Sequence, residues 1–303
     1  MNIQSISIVV PTKKCINKCK FCVSCMHDSP YINKFDEIQY RKRIKYASNN
    51  GVNSLIITGD NGEILQNSDF LENLVYVLDK ENHPFPNVEI QTVGSLLMDK
   101  QNNSIYSNIR LLRRLGVNTI SLSISDIFDS ENNWDIIDAP KSQRPPLYSL
   151  CNFIKDNGFN LRLSLNMTSI YNNESPEQIL HKCKDLMADQ VTFRKLYNVD
   201  DNSSQSLWVR ENACKNKVLN QLDEWIGGTH EYTHQKGSYR GYANGKMLYK
   251  LPFGGMAYSI MGMSTVIDDN CMSKEENEKL KYVILRENGK LYCQWDDEGS
   301  LIF

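Results

Sequence analysis

KKCINKCKFCVSC (Lys13–Cys25) places four of the chain's nine cysteines within thirteen positions, directly after a strand-like apolar run, SISIVVP (Ser5–Pro11). Cys15, Cys19 and Cys22 follow a C-x3-C-x2-C spacing. Three thiolates on one loop can converge on one metal centre, and soft sulfur suits iron or zinc. A structural zinc takes four ligands, usually as two separated pairs. Here Cys151, Cys183, Cys214, Cys271 and Cys293 are isolated singles. Three local ligands fit a four-iron cluster with one iron left open. A zinc knuckle, or plain solvent-facing thiols, is the competing reading.

Composition narrows the setting. The 303 residues carry 41% hydrophobic and 23% charged side chains and a net charge of -2. That describes a globular chain with no global attraction to nucleic acid or an anionic membrane. The run Ile3–Val10 is too short, and too interrupted by Ser5 and Ser7, to be a signal core or a membrane span. A cytoplasmic location with no membrane partner is the expectation. There disulfides are disfavoured, so clustered cysteines point to metal or redox chemistry.

Outward from the cysteines, strand-length and helix-length runs alternate. Strands are expected at Ser5–Pro11, Ser54–Gly59, Val88–Val93, Thr119–Ile124, Leu161–Met167 and Gln190–Leu196. Helices are expected at Asp36–Ser48, Leu71–Leu78, Ser107–Leu115, Leu147–Asp156 and Pro176–Met187. Turn residues in NNGVN, RLGVN and DNGFN close three helices before the next strand. Six such units predict an α/β fold, a partial (β/α)6 barrel over residues 1–200. Beyond it, Asn198–Ser206 reads as a polar linker and Arg210–Ile226 as a helix. The rest of 201–303 reads as a small, β-rich antiparallel extension closing the barrel and its pocket, with a hairpin at Glu287–Lys290.

With Phe21 immediately before the third cysteine, the motif resembles the radical S-adenosylmethionine superfamily. Its layout is closest to the members that act on small molecules, such as the molybdenum-cofactor GTP cyclases. The resemblance implies a [4Fe-4S] cluster on Cys15, Cys19 and Cys22, with S-adenosylmethionine chelating the open iron. Reductive cleavage then yields a 5′-deoxyadenosyl radical that abstracts hydrogen from substrate. Cys25 is expected to stay unliganded, because a fourth protein ligand would block that chelation.

The family's Gly-rich, Glu-ending turn after the second strand corresponds to TGDNGE, with one extra residue. Gly59–Asp60 and Gly62–Glu63 are therefore both candidates for meeting the methionine amino group. The resemblance further implies Thr92 at the barrel mouth, Ser123 and Ser125 toward the ribose, and Arg162, Ser164 and Asn166 along one face of the fifth strand. Leu196, with Tyr197, would wall the adenine.

A small molecule or nucleotide is the expected substrate, and flavodoxin or ferredoxin the expected electron donor. A peptide- or RNA-modifying enzyme is the alternative, and a zinc- or iron-binding sensor module the non-enzymatic one. Neither a winged-helix leader-binding segment nor a cysteine-rich tail is visible to favour a peptide. Residues acting directly on substrate, and the oligomeric state, are not assigned. Lys13, Lys14, Lys18 and Lys20 read as a solvated face, His230 and His234 as loop polars, and Cys271 and Cys293 as free thiols. Tyr249–Ser264 reads as a hydrophobic hairpin beside the pocket.

Overall fold

The computed structural model describes residues 2–26, 35–60, 62–98, 104–198, 201–228, 231–234, 237–240, 244–251, 256–268, 279–295 and 300–302. Cys271, His230 and the side chain of Cys25 lie outside the described residues. Six period-two runs form β1 (Asn2–Val10), β2 (Ser54–Gly59), β3 (Asn87–Thr92), β4 (Thr119–Ile124), β5 (Asn160–Asn166) and β6 (Gln190–Arg194). They lie in chain order, and every neighbouring pair is parallel.

The crossovers carry α1 (Glu37–Asn49), α2 (Ser68–Lys80), α3 (Ser104–Arg114), α4 (Ser130–Ile137), α5 (Leu147–Asp156) and α6 (Pro176–Asp185). Gly51, Gly116 and Gly158 follow α1, α3 and α5 with φ of 80°, 76° and 79°, the left-handed conformation that ends a helix at little cost. α4 is the helix that sequence periodicity missed. Its eight residues are too few for a repeating apolar stripe, and it is held by Asp129, which accepts from the N–H groups of Glu131 and Asn132.

The tail comprises α7 (Ser204–Asn212), α8 (Asn216–Gly227), the ribbon β7 (Glu231–His234) with β8 (Gly237–Arg240), and five strands of the main sheet. These are β9 (Lys246–Lys250), β10 (Met256–Ile260), β11 (Met263–Asp268), β12 (Lys279–Leu285) and β13 (Leu291–Tyr292). Two features differ from the expectation. The linker already folds into α7 from Ser204, and the single helix is broken at Ala213, where Cys214 N–H donates to Met167 O at 2.8 Å. The extension also joins the barrel sheet rather than forming an appendage beside it. β11 pairs parallel with β6 and β12 parallel with β1, while β10 pairs antiparallel with β11 and β9, and β13 antiparallel with β12. The physical reason is that both edges of a six-stranded arc would otherwise present unpaired N–H and C=O groups.

One face of each barrel strand is apolar. Ile8, Leu55, Ile90, Leu122, Leu163 and Phe193 are completely buried within the hydrophobic core, each contributing about 1.5–3 kcal/mol. The opposite face is polar and lines a cavity of about 530 Å³, with Ser7, Thr58, Gln91, Ser121, Ser164 and Thr192 on its wall. A closed eight-unit barrel fills this space with branched side chains. Here short polar side chains leave the space open. Among the described residues, no helix is long and apolar enough to cross a membrane.

Candidate active site

The cysteine loop leaves β1 at the carboxyl end of the sheet and is fastened on three sides. Gln66 accepts hydrogen bonds from Ile16 N–H (3.0 Å) and Glu63 N–H (3.1 Å) and donates to Lys14 O (3.0 Å). The backbone of Lys18 and Lys20 donates to Ile137 O and Ile136 O at the end of α4, both at 3.2 Å. From α7, Gln205 donates to Phe21 O (3.1 Å) and Tyr197 O (3.0 Å), while Trp208 packs on Phe21 with ring centres 6.2 Å apart. Gln66 carries a legible signal, since E-x-x-Q is a capping-box pattern and the reciprocal bonds are present. Gln205 has no such signal in the sequence.

Cys15, Cys19 and Cys22 are half-buried and free. Burial pushes the Cys15 thiol up to about 11, with the charges of Glu63 and Cys22 adding to it. Burial raises Cys19 as well, reinforced by Cys22, Cys15 and Glu63. The three thiols and the Glu63 carboxyl are therefore close enough to influence one another electrostatically.

Among the described residues, no three His, Cys, Asp or Glu side chains close on a single ion. The donor set, three thiols on one loop, fits a four-iron cluster with one iron open.

Glu63 is buried at 4% exposure. Thr92 Oγ1 donates to it at 2.5 Å and Val93 N–H at 3.2 Å. Burial raises its carboxyl, and the donors at Thr92, Val93, Leu65 and Ile64 oppose that rise. The two glycines of its turn are set by crowding. A Cβ on Gly59 would lie 1.8 Å from Gly62 O, and one on Gly62 would lie 1.7 Å from Thr12 Oγ1. Gly62→Ala is expected to destabilise the chain by about 1–3 kcal/mol, the usual cost of overpacking. Its iron retention should fall as well. Thermal unfolding and iron analysis check both.

The extra residue in TGDNGE separates the two acidic candidates. Glu63 sits with the cysteines, whereas Asp60 Oδ2 lies 3.6 Å from Arg286 and lines the cavity. Asn166 donates to Ser123 Oγ (3.0 Å) and Ser125 Oγ (3.4 Å) at the same end of the sheet. Leu196 is buried just beyond β6, and Tyr197 is half-buried beside it.

Arg162 sits lower, one side of a network across the cavity. It pairs with Glu89 at 2.5 Å and donates to Gln190, and Gln91 donates to Glu89 at 3.2 Å. Arg162→Met strands the Glu89 carboxylate, so a loss of about 3 kcal/mol is expected. The double variant E89Q/R162M should recover most of it. A denaturant titration of the three proteins measures this, and an Arg162→Met variant of full stability would detach Arg162 from the scaffold.

The Radical SAM superfamily profile matches residues 9–186. Native anSMEcpe with bound AdoMet and Kp18Cys peptide superposes with a TM-score of 0.57 at 12% identity, covering 99% of this chain and 77% of that one. HydG, a maturase of the [FeFe]-hydrogenase, gives 0.50 at 13% identity over 73% of this chain and 48% of its own. SuiB from Streptococcus suis, bound to precursor peptide SuiA, gives 0.49 at 17% identity over 96% and 59%. The chain thus spans about half to three-fifths of the length of the latter two. At these identities the likeness speaks to the fold. No curated protein matches the sequence. The matched profile covers more than half of the chain and includes all three cysteines and Glu63, so the protein belongs to the radical SAM superfamily, enzymes that use a [4Fe-4S] cluster and S-adenosylmethionine.

Proposed function

We propose that this enzyme abstracts a hydrogen atom from a small polar molecule, or a nucleotide, held in the barrel cavity. Cys15, Cys19 and Cys22 would hold the cluster, and Glu63 would receive the methionine amino group. Thr92 orients Glu63 by its short hydrogen bond. Ser123, Ser125 and Asn166 would face the ribose, with Leu196 and Tyr197 beside the adenine. When bound and reduced by a flavodoxin- or ferredoxin-type donor in the cytoplasm, the cluster supplies the electron that cleaves S-adenosylmethionine to the abstracting radical. Residues 201–303 act as the extension that completes the cavity wall.

The cavity carries this reading: about 530 Å³, within the usual range for small ligands, and lined by hydroxyl, amide and charged side chains. A peptide substrate is the second reading. It is favoured by the exposed Met247, Leu248 and Tyr249 on β9, the last of which also lines the cavity. The two separate by isotope transfer. The reduced enzyme is incubated with deuterated cell extract split into small-molecule and peptide fractions, and deuterium in 5′-deoxyadenosine is read by mass spectrometry. Label from the small-molecule fraction is expected. Label from the peptide fraction alone would overturn the assignment.

A further inference from the structure

Three arginines line the cavity, and two of them are spoken for. Arg162 pairs with Glu89, and Arg286 lies 3.6 Å from Asp60. Arg194, the last residue of β6, is different. Among the described residues no ion pair or hydrogen bond engages its guanidinium, and its Nε is buried with no partner. Asp268, its register partner on β11, has an interaction of its own. On the other side, Asn166 is its register partner on β5, already committed to Ser123.

A second orphan lies one step deeper on the same wall. Ser164 is 5% exposed, lines the cavity, and its Oγ has no hydrogen-bond partner. Ser164 faces Thr192 in register, and Thr192 is two residues before Arg194. The two orphans are therefore diagonal neighbours on one face, within reach of a single small group. Buried donors left unpaired cost stability, and a cation more so. A chain that pairs its other cavity charges keeps this one open where a ligand supplies the missing acceptor.

From this we infer that Arg194 and Ser164 form an oxyanion-recognising subsite, so that the substrate carries a carboxylate or phosphate group. This rests on the cavity being the substrate pocket, as proposed above. The guanidinium fork presents paired donors to such a group, and the serine hydroxyl adds a third.

The test is binding of simple anions to the anaerobically reconstituted enzyme, by calorimetry and thermal shift at low ionic strength. Inorganic phosphate and acetate are the probes. At least one should bind saturably and raise the melting temperature. Affinity should fall about 10- to 100-fold in R194M, the range for losing a charge-assisted hydrogen bond. R194K, which keeps the charge but not the fork, should fall between the two, and S164A should lose several-fold.

R194M removes an uncompensated cation, so its melting temperature without anion should equal or exceed that of the parent chain, which guards against misfolding as the cause. Phosphate binding with acetate silent marks a phosphorylated substrate, and the reverse marks a carboxylate. Saturable binding of neither anion, or equal binding in R194M, overturns the subsite. So does an R194M variant that loses affinity for S-adenosylmethionine instead. An enzyme that binds the anion through Arg194 yet never forms 5′-deoxyadenosine would sink the proposed function and leave the subsite standing.

Discussion

Cys19→Ala, prepared without oxygen and reconstituted with iron and sulfide, is expected to lose its cluster and to form 5′-deoxyadenosine only at background. The parent chain should hold about four irons, and the variant under one. Cys19 is the sensitive choice because it packs against the hydrophobic core while its carbonyl accepts from Cys22 N–H at 3.0 Å. The substitution removes the sulfur and leaves the backbone turn. Far-ultraviolet circular dichroism should therefore be unchanged, which separates a lost ligand from a lost fold.

Burial raises Cys15 and Cys19, so these two thiols begin protonated at neutral pH. Cluster uptake must release those protons, and the cluster in turn stabilises the loop that holds it. The parent chain should thus melt higher when loaded, and Cys19→Ala should show no such rise. A variant that keeps a full complement of iron and sulfide would remove Cys19 from the ligand set. A parent chain that takes up one zinc and no iron would remove the cluster altogether.

Much of this architecture is written in local sequence. The six barrel strands announce themselves by apolar runs, and glycine after a helix marks where α1, α3 and α5 stop. The cysteine triad is legible because all its ligands sit on one loop, so no tertiary information is needed. What was not legible depends on contacts between distant segments. Nothing in MSTVID or KLKYVIL says that these strands will lie parallel to β6 and β1.

The cavity's charge state was equally hidden. Arg162, the third residue of β5, and Arg194, the last of β6, both line the cavity. Arg162 meets Glu89, the Arg194 guanidinium has no hydrogen-bond or ion-pair partner among the described residues, and only the pairing of β3 with β4 and β4 with β5 brings Glu89 within reach. Gln205 shows the same limit. Its two bonds join segments 184 and 8 residues away, which no spacing rule anticipates.

Glu63→Gln should leave iron content intact and weaken S-adenosylmethionine binding by roughly 30- to 1000-fold. That range corresponds to about 2–4 kcal/mol for stripping one partner from a buried, hydrogen-bonded charge pair. The amide keeps the shape of the carboxylate. It can still accept from Thr92 Oγ1 through its oxygen, but its NH2 then faces the Val93 N–H, where two donors meet. More important, it no longer offers negative charge to an ammonium group beside the cysteines. The readout is the electron paramagnetic resonance signal of the reduced cluster, which should shift on adding S-adenosylmethionine to the parent chain and not to Glu63→Gln. Asp60→Asn supplies the contrast. It breaks the approach to Arg286 at the cavity wall and should leave that shift in place. If the two outcomes exchange, the methionine amino group is held by the first glycine–acid pair, and the buried position of Glu63 serves only to hold the turn.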